Sequence, residues 1–283
     1  MAGTRFGILA GYDGSPDAEQ ALRWAVREAA ARDVVLTVCH SLVPAYPLSA
    51  AAGSVNELAR KAGERVLARG IQHAEELMGS SADVRPLLAG EPAAAALCRR
   101  SGGADVTVVG SRGLGGLAGM LLGSVSSQVA AHAPGRIVVV RGHWLPVATY
   151  VPGAILVGGD GSAASLPAVE FAFEEAALRD APLVAVCALA DAAGSIGGAR
   201  QVEDTFENVL GRCEKENPDV IVHRRVTPGP PRGALLTTAA DVQAQLLVVG
   251  ARGRGGLRGM TLGSVSYAAV HHAPCPVAVV HRS

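Results

Sequence analysis

From Gly110 to Arg141 the chain reads GSRGLGGLAGMLLGSVSSQVAAHAPGRIVVVR, and from Gly250 to His281 it reads GARGRGGLRGMTLGSVSYAAVHHAPCPVAVVH. Of these 32 aligned positions, 18 are identical, without a gap. Each copy places a glycine-rich segment between an apolar strand and the start of a helix. Because such a segment presents backbone N–H groups next to a helix N-terminus, the repeat predicts two phosphate-binding loops.

The repeat also includes the start of each half. Ile8 to Ser15 reads ILAGYDGS, and Ile155 to Ser162 reads ILVGGDGS. These segments lie 147 residues apart, whereas the glycine segments lie 140 apart, so the first half has additional residues in its middle. A repeat of this length has the size of a whole domain. We therefore predict two tandem domains, residues 1–145 and 152–283.

The composition is typical of a soluble globular chain. Hydrophobic residues make up 49% and charged residues 18%, and the formal net charge is +0, so no basic excess favours nucleic acid as a partner. No apolar run has the length of a signal-peptide core or a membrane span, and we expect a cytoplasmic protein with no membrane partner. The five cysteines lack C-x-x-C spacing and are expected to be buried, which argues against a metal site or a disulfide framework.

Each half alternates short apolar runs with segments of helical periodicity. Strands are predicted near residues 6–12, 34–39, 84–89, 105–109 and 137–141, and near 154–158, 183–188, 221–226, 246–249 and 277–280. Helices are predicted near 18–32, 55–78, 93–100 and 124–132, and near 165–179, 199–216, 234–240 and 264–272. This alternation predicts an α/β fold with a parallel sheet covered on both faces, which binds ligands at the carboxyl ends of its strands.

The glycine loop has the properties of an anion site. Gly110 ends the fourth strand without a side chain, and Gly113 allows backbone conformations that point N–H groups inward. Ser124 is expected to cap the following helix, whose free amides and dipole favour phosphate. Ser264 has the same place in the second half.

Neither of the two common phosphate loops fits this pattern. A P-loop needs a Lys before its Ser or Thr, but Gly123 and Gly263 stand there. A dinucleotide fingerprint would follow the first strand, where this chain has Asp-Gly-Ser. The first loop carries Arg112, whereas the second carries Arg252, Arg254 and Arg258. If these arginines point inward, the second site binds polyphosphate more tightly; for Arg254 and Arg258, exposed surface positions are the alternative.

The spacing G-x2-G-x9-G-[ST], after a V-x-V-V-G-type strand and before A-x-x-P-V-x-V-V, resembles the universal stress protein family. It is most similar to the ATP-binding, tandem-domain members, and the resemblance covers nearly the whole chain. It implies two doubly wound parallel five-stranded sheets of order 3-2-1-4-5, in the sandwich of the adenine-nucleotide alpha-hydrolase type. It also implies ATP as the ligand, with or without Mg²⁺.

The resemblance assigns nucleotide-binding positions in both halves. In the first half they are Asp13, Val38, Gly110, Arg112, Gly113, Gly123, Ser124, Val125 and Ser126. In the second they are Asp160, Val186, Gly250, Arg252, Gly253, Gly263, Ser264, Val265 and Ser266. The two aspartates match the adenosine side, and the backbone of the two valines in the second strand matches the adenine edge. From residue type alone, the aspartates would close an Asx turn or cap a helix, and the valines would be core.

Two departures from the family pattern separate the halves. Gly159 precedes Asp160 where a bulkier residue is usual, which is expected to loosen the second adenosine pocket. The segment 191–198 is shorter and richer in Ala and Gly than 41–53, so the lids over the sites should differ. We therefore expect two sites of unequal affinity. The family also pairs domains through its fifth strand, which predicts an internal pseudo-dimer here, with a homodimer as a further option.

No catalytic set recurs in both halves, and there is neither a P-loop Lys nor a metal motif. The leading hypothesis is an ATP-binding regulator of stress or growth that acts on an unidentified protein partner. The alternatives are a slow ATPase or nucleotide-transferring enzyme, and a chaperone-like interaction module with a structural nucleotide.

Overall fold

The computed structural model describes residues 6–42, 53–79, 83–115, 121–141, 153–189, 196–253 and 262–282 of the 283-residue chain. The chain divides into two compact units, Met1–His143 and Trp144–Ser283.

The first unit alternates strands and helices through its described residues. Its elements are β1 (Gly7–Gly11), α1 (Pro16–Arg32), β2 (Leu36–Ser41), α2 (Gly53–Met78), β3 (Val84–Ala89), α3 (Ala93–Ser101), β4 (Ala104–Gly110), α4 (Ser124–His132) and β5 (Arg136–Val140). The strands are parallel and follow the order β3-β2-β1-β4-β5. In register, Ala10 of β1 lies between Val38 of β2 and Val108 of β4.

The second unit repeats this arrangement. Its elements are β6 (Ile155–Gly158), α5 (Leu166–Leu178), β7 (Leu183–Leu189), α6 (Ile196–Glu216), β8 (Val222–Pro228), α7 (Pro231–Asp241), β9 (Leu246–Gly250), α8 (Ser264–His272) and β10 (Val277–Val280). The strands are again parallel, in the order β8-β7-β6-β9-β10. The predicted fold class and the 3-2-1-4-5 order are therefore confirmed for both units.

The central strands are apolar because helices cover both faces of each sheet. Ile8 and Leu9, neighbours in β1 that point to opposite faces, are both fully buried, and the strand β10 is buried along its whole length. The outer strands β3 and β8 are more exposed. These burial patterns place one core on each face of each sheet.

The helix α1 shows how local signals fix an element. Ser15 is its N-cap, with the side chain accepting a hydrogen bond from the Ala18 amide, and Pro16 stands in the first turn, where its missing N–H costs nothing. At the other end, Asp33 adopts a left-handed conformation with φ 53° and stops the helix.

Element boundaries differ from the predictions at a few places. The helix α7 begins at Pro231, three residues before its predicted start, because proline is compatible with a first helical turn. The strand β2 continues to Ser41, two residues past its predicted end. The helix α6 begins at Ile196, inside the segment predicted as a short loop. Most of the predicted loop 41–53 and residues 190–195 lie outside the described residues.

The topology brings the carboxyl ends of several strands together at one edge of each sheet. In the first unit, β1 leads to a helix on one face and β4 leads to a helix on the other, so the carboxyl ends of these neighbouring strands flank a crevice. Ligands of doubly wound sheets bind at this switch point. The glycine loop and the Asp-Gly-Ser turn both lie there.

Candidate functional site

Asp13 joins the turn after β1 to the glycine loop of the first unit. Its Oδ1 accepts a hydrogen bond from the Ser15 amide at 2.9 Å, which closes an Asx turn, and its Oδ2 accepts one from the Leu114 amide at 3.0 Å. A Cβ placed on Gly113 would lie 2.5 Å from Asp13 Oδ2. Glycine is therefore needed at 113 so that the carboxylate can reach the loop.

Gly110 is required by the packing of a helix against the end of β4. A Cβ placed on it would lie 2.6 Å from the carbonyl carbon of Asp17 and 2.8 Å from the Ala18 amide nitrogen, both in the first turn of α1. The Gly110 carbonyl accepts a hydrogen bond from Ser126 Oγ at 2.5 Å, and Ser126 is buried. Through Gly110, the start of α1 and the start of α4 both contact the same strand end.

The expectation that Ser124 caps the helix α4 is wrong. The N-cap is Gly123, with φ −76° and ψ 160°, and Ser124 is the first helical residue. Gly123 has no side chain to offer, and its own amide donates to the Ser111 carbonyl at 2.7 Å. The first turn of α4 thus has no side-chain cap, and its backbone donors face the loop side of the crevice.

The second unit has the same correction at Ser264. Gly263 is the N-cap of α8, with φ −71° and ψ 162° and no side-chain cap, and its amide donates to the Ala251 carbonyl at 2.8 Å. Ser266, the counterpart of Ser126, donates its hydroxyl to the Ala251 carbonyl at 2.9 Å. The two loops therefore share the glycine N-cap, but Ser126 donates to Gly110 in the first unit and Ser266 donates to Ala251 in the second.

A cavity of about 320 Å³ opens at the switch point of the first unit. The predicted positions that line it are Asp13, Gly110, Arg112, Gly113, Gly123, Ser124, Val125 and Ser126. The other lining residues are Gly11, Tyr12, Ala18, Cys39, His40, Ser41, Ala93, Leu97, Val109, Leu114, Gly115 and Leu122. The structure thus brings together the Asp-Gly-Ser turn, the glycine loop and the ends of β1, β2 and β4.

Val38 is the predicted residue of the first unit that does not line the cavity. It is fully buried within β2, and the lining is supplied by the next three residues, Cys39, His40 and Ser41. Because the strand is two residues longer than predicted, its carboxyl end lies beyond Val38. The rule that ligands bind at strand ends would have located these residues, had the end of β2 been known.

Two of these lining residues have defined chemical states. His40 Nδ1 lies 2.8 Å from the Tyr12 carbonyl, and since a carbonyl can only accept, Nδ1 carries the proton. Burial raises the pKa of the Cys39 thiol to about 11. Cys39 is therefore a neutral, apolar part of the wall at neutral pH.

The second unit reproduces the frame around Asp160. Asp160 Oδ1 accepts a hydrogen bond from the Ser162 amide at 2.9 Å, and a Cβ placed on Gly253 would lie 2.8 Å from Asp160 Oδ2. Val186 lies in β7 and is buried, as Val38 is in β2. Gly250 ends β9, and Val265 follows Ser264 in the first turn of α8.

The expected gap at Gly159 is filled. A Cβ placed on Gly159 would lie 2.2 Å from the ring of Phe206, a residue of α6 that is only 1% exposed. The prediction of a loosened second pocket is therefore wrong at this position, because an aromatic ring from the neighbouring helix occupies the space. The sequence carried no sign that Phe206 packs there, since any apolar residue of α6 could face the sheet.

The arginines of the two loops differ in their partners. Arg112 Nε lies 3.4 Å from Asp17 Oδ2. Arg252 is exposed and forms no ion pair within the part of the chain that the structure describes. Arg254 and Arg258 lie outside that part, so their predicted orientation stays a prediction.

The described residues hold neither a metal-binding cluster nor a membrane-spanning helix. No cluster of three or more His, Cys, Asp or Glu side chains suited to a metal ion occurs among them. None of the helices in the described ranges is long and apolar enough to cross a membrane. The cysteines at 39, 98, 187, 213 and 275 are free thiols.

Comparisons with known proteins agree with this architecture. The model of the universal stress protein family matches residues 7–141 and again residues 153–281. A universal stress protein of Mycolicibacterium smegmatis is 36% identical over 303 residues, covering 99% of this chain and 98% of that protein. One of Mycobacterium tuberculosis is 36% identical over 311 residues, covering 98% of this chain and 95% of its own length.

A solved structure has the same fold over both units. The crystal structure of a universal stress protein from Archaeoglobus fulgidus matches with a TM-score of 0.74 and 23% identity, covering 99% of this chain and all of that one. At this identity the match speaks for the fold alone. From the double match of the family model and the full-length relatives, the chain belongs to the universal stress protein family and carries two tandem copies of its domain.

Proposed function

We propose that each unit binds one adenine nucleotide, with ATP as the main ligand, and that occupancy makes the chain a cytoplasmic regulator of stress or growth. One observation carries the proposal. In the first unit, the uncapped start of α4, the glycine loop and the carboxyl end of β2 all face one cavity of about 320 Å³, a volume typical of small-molecule sites.

The phosphates would lie at the glycine loop. The first turn of α4 has no side-chain cap, so its backbone N–H groups are available to an anion, and the positive end of the helix dipole adds to the attraction. Ser124 and Val125 present these amides. Mg²⁺ that accompanies ATP would be coordinated mainly by phosphate oxygens and water, as is usual for this ion.

The adenosine would lie toward the strand ends. Cys39, Leu97 and Val109 provide an apolar wall, and the carbonyl and amide groups at the end of β2 are the polar groups that a purine edge can contact. Asp13 lies between this region and the loop. Its two carboxylate oxygens already accept backbone hydrogen bonds, so each retains a lone pair for a ribose hydroxyl.

The regulatory part of the proposal follows from the same contacts. A nucleotide would touch the turn after β1 and the glycine loop at once, so its binding free energy stabilises the arrangement in which both are in place. Leu114 and Leu121 of the loop have exposed side chains at 73% and 50%. An apolar surface so close to the site is where a protein partner would sense occupancy.

The test starts with the protein as purified. Heat-released ligand is identified by chromatography, and calorimetry measures ATP binding to the intact chain. We expect up to two adenine nucleotides per chain, with binding halved by Gly123→Val or Gly263→Val and abolished by the pair. A chain that carries no nucleotide and gives no calorimetric signal with ATP would contradict the proposal.

A further inference from the structure

Asp17 is a buried carboxylate directly behind the glycine loop of the first unit. Its Oδ2 accepts a hydrogen bond from Ser111 Oγ at 2.5 Å and lies 3.4 Å from Arg112 Nε. The Asp17 side chain is 7% exposed and that of Arg112 is 44% exposed. The carboxylate therefore contacts the Nε of Arg112, a residue that lines the cavity.

The backbone of Arg112 is held from a second side. Its carbonyl accepts a hydrogen bond from Ser15 Oγ at 3.2 Å, and Ser15 is the buried N-cap of α1. Both contacts come from the first turn of α1 or its cap. The position of Arg112 is thus fixed by this helix start.

The second unit lacks this arrangement. Ala164 and Ala251 stand where the first unit has Asp17 and Ser111. The equivalence is also spatial, because a Cβ on Gly110 would lie 2.7 Å from the Asp17 carbonyl oxygen, and one on Gly250 would lie 3.3 Å from that of Ala164. The hydroxyl of Ser162, the counterpart of Ser15, is buried without a hydrogen-bond partner in the described structure.

Among the described residues, the charges beside the two loops consequently differ by one carboxylate. The first loop has two carboxylates, Asp13 and Asp17, and one guanidinium, Arg112. Among its described residues the second has one carboxylate, Asp160, and one guanidinium, Arg252, while Arg254 and Arg258 of the same loop lie outside the described part of the chain. A negative charge close to bound phosphates weakens polyanion binding, and the effect grows with the number of phosphate charges.

We propose that Asp17 is a positioning residue that sets the phosphate preference of the first site. By pairing with Arg112 and adding a negative charge behind the loop, it shifts this site toward adenine nucleotides of low phosphate charge. The second site, with Ala164 in its place, favours the triphosphate. This inference rests on the proposed function, since it concerns the same two sites.

The experiment compares ATP and AMP affinity at each site of the intact chain. Gly263→Val leaves the first site to be measured, and Gly123→Val leaves the second. We expect the ATP-to-AMP affinity ratio to be higher at the second site by at least about threefold, the lower end of the effect expected for one partly screened charge, and the exchanges at positions 17 and 164 isolate the share of the acidic residue from that of Arg254 and Arg258. Asp17→Asn, which keeps the shape, should raise the ratio at the first site by a similar factor.

The reverse exchange tests the same idea without altering α1. Ala164→Asp combined with Ala251→Ser should lower the ATP-to-AMP affinity ratio at the second site. If Asp17→Asn does not fold, this double variant is the deciding test. Asp83→Asn, which removes an exposed carboxylate paired with Arg85, is the matched control and should leave both ratios unchanged. A purely structural role of Asp17 would change both affinities together and leave the ratio constant.

The outcomes separate the two proposals. Ratios that neither exchange changes would overturn the role of Asp17, whether or not the two sites differ, while leaving nucleotide binding intact. Failure of the unmodified chain to bind either nucleotide would overturn the proposed function, and the phosphate preference with it.

Discussion

The two units fill the same space beside the Asp-Gly-Ser turn from opposite directions. In the first, Tyr12 projects from the end of β1 toward α2, where a Cβ on Gly70 would lie 2.7 Å from its ring. In the second, Gly159 follows β6 and the ring of Phe206 comes from α6. An aromatic ring faces a glycine in both, with the roles of strand and helix exchanged. The turn requires a filled space next to it, but either neighbour can supply the ring.

The exchange changes the chemistry beside the turn. The Tyr12 hydroxyl donates to Glu19 Oε1 at 2.5 Å, Arg69 Nη2 donates to the Gly14 carbonyl at 3.0 Å, and His73 Nδ1 lies 2.6 Å from Glu19 Oε2. A ring of phenylalanine has no such partners. The first turn is therefore supported by a polar, titratable cluster, and the second by apolar packing.

The largest effect is expected from removing the ring of the second unit. Phe206→Ala should destabilise that unit by about 3–5 kcal/mol, because a fully buried ring is lost and a cavity remains. Hydrogen-exchange mass spectrometry reads the two units separately in the intact chain. The exposed Asn208→Ala on the same helix is the control, and similar protection in both variants would contradict the packing described here.

The strand-end glycines should respond unequally to alanine. At Gly110 the new Cβ meets backbone atoms of α1 at 2.6–2.8 Å, whereas at Gly250 the nearest atoms lie at 3.1 and 3.3 Å. We expect Gly110→Ala to cost about 2–3 kcal/mol and Gly250→Ala about 1 kcal/mol or less. Denaturant unfolding of both variants measures the difference, and equal losses would show that the two helix starts pack equally tightly.

A smaller loss is expected from filling the glycine that faces Tyr12. Gly70→Ala places a methyl group 2.7 Å from the ring, so we expect a net loss of about 1–2 kcal/mol despite the better helix propensity of alanine. Gly63→Ala on the same helix is the matched control, since its Cβ would lie 3.4 Å from His40. That variant should be neutral or stabilised by up to about 1 kcal/mol.

The smallest effect depends on pH and is confined to the first unit. Burial alone would raise the pKa of Glu19. Hydrogen bonds from Tyr12 and His73 and the charge of Arg69 together lower it by more than burial raises it, so the pKa lies below its usual 4.5. A depressed carboxylate pKa stabilises the fold fully above the usual value, and this stabilisation is lost as pH falls through the folded value. Glu19→Gln should lower the Tm of the first unit by about 1–3 °C at pH 7.

The same variant provides its own check at acid pH. As pH falls below the usual pKa of 4.5, the Tm difference between Glu19→Gln and the unmodified chain should shrink, and it should vanish once pH lies below the lowered folded pKa, where the carboxylate is protonated in both states. Glu76→Gln, which removes an exposed partner of Gln72, should show no such dependence. A constant Tm difference across this range would contradict the ionic role of Glu19.

Most of the fold could be predicted because its signals are local. Continuous apolar strands such as Val277–Val280 and the glycine spacing 110-113-123 lie within single segments of sequence. The errors have a common physical origin. Whether Ser124 caps or begins a helix depends on where its backbone turns, and the end of β2 at Ser41 depends on pairing with β3.

The long-range contacts of Asp17 and Phe206 could not be predicted from the sequence for the same reason. Asp17 pairs with a residue 95 positions away, and the ring of Phe206 packs 47 positions from its glycine. Such contacts depend on how the helices pack against the sheet, and the spacing of residues along the sequence does not determine that packing. The duplication pointed to the positions where the units differ, but not to what fills them.

The contact between Asp13 and the Leu114 amide has a consequence for how the duplicated gene could diverge. In each copy a carboxylate of the turn, Asp13 or Asp160, lies against a glycine of the same copy's loop, Gly113 or Gly253, so this contact is made within one domain. Selection could therefore act on one crevice at a time. One copy can change at neighbouring positions, such as 164 and 251, while the contact between its own turn and its own loop is kept.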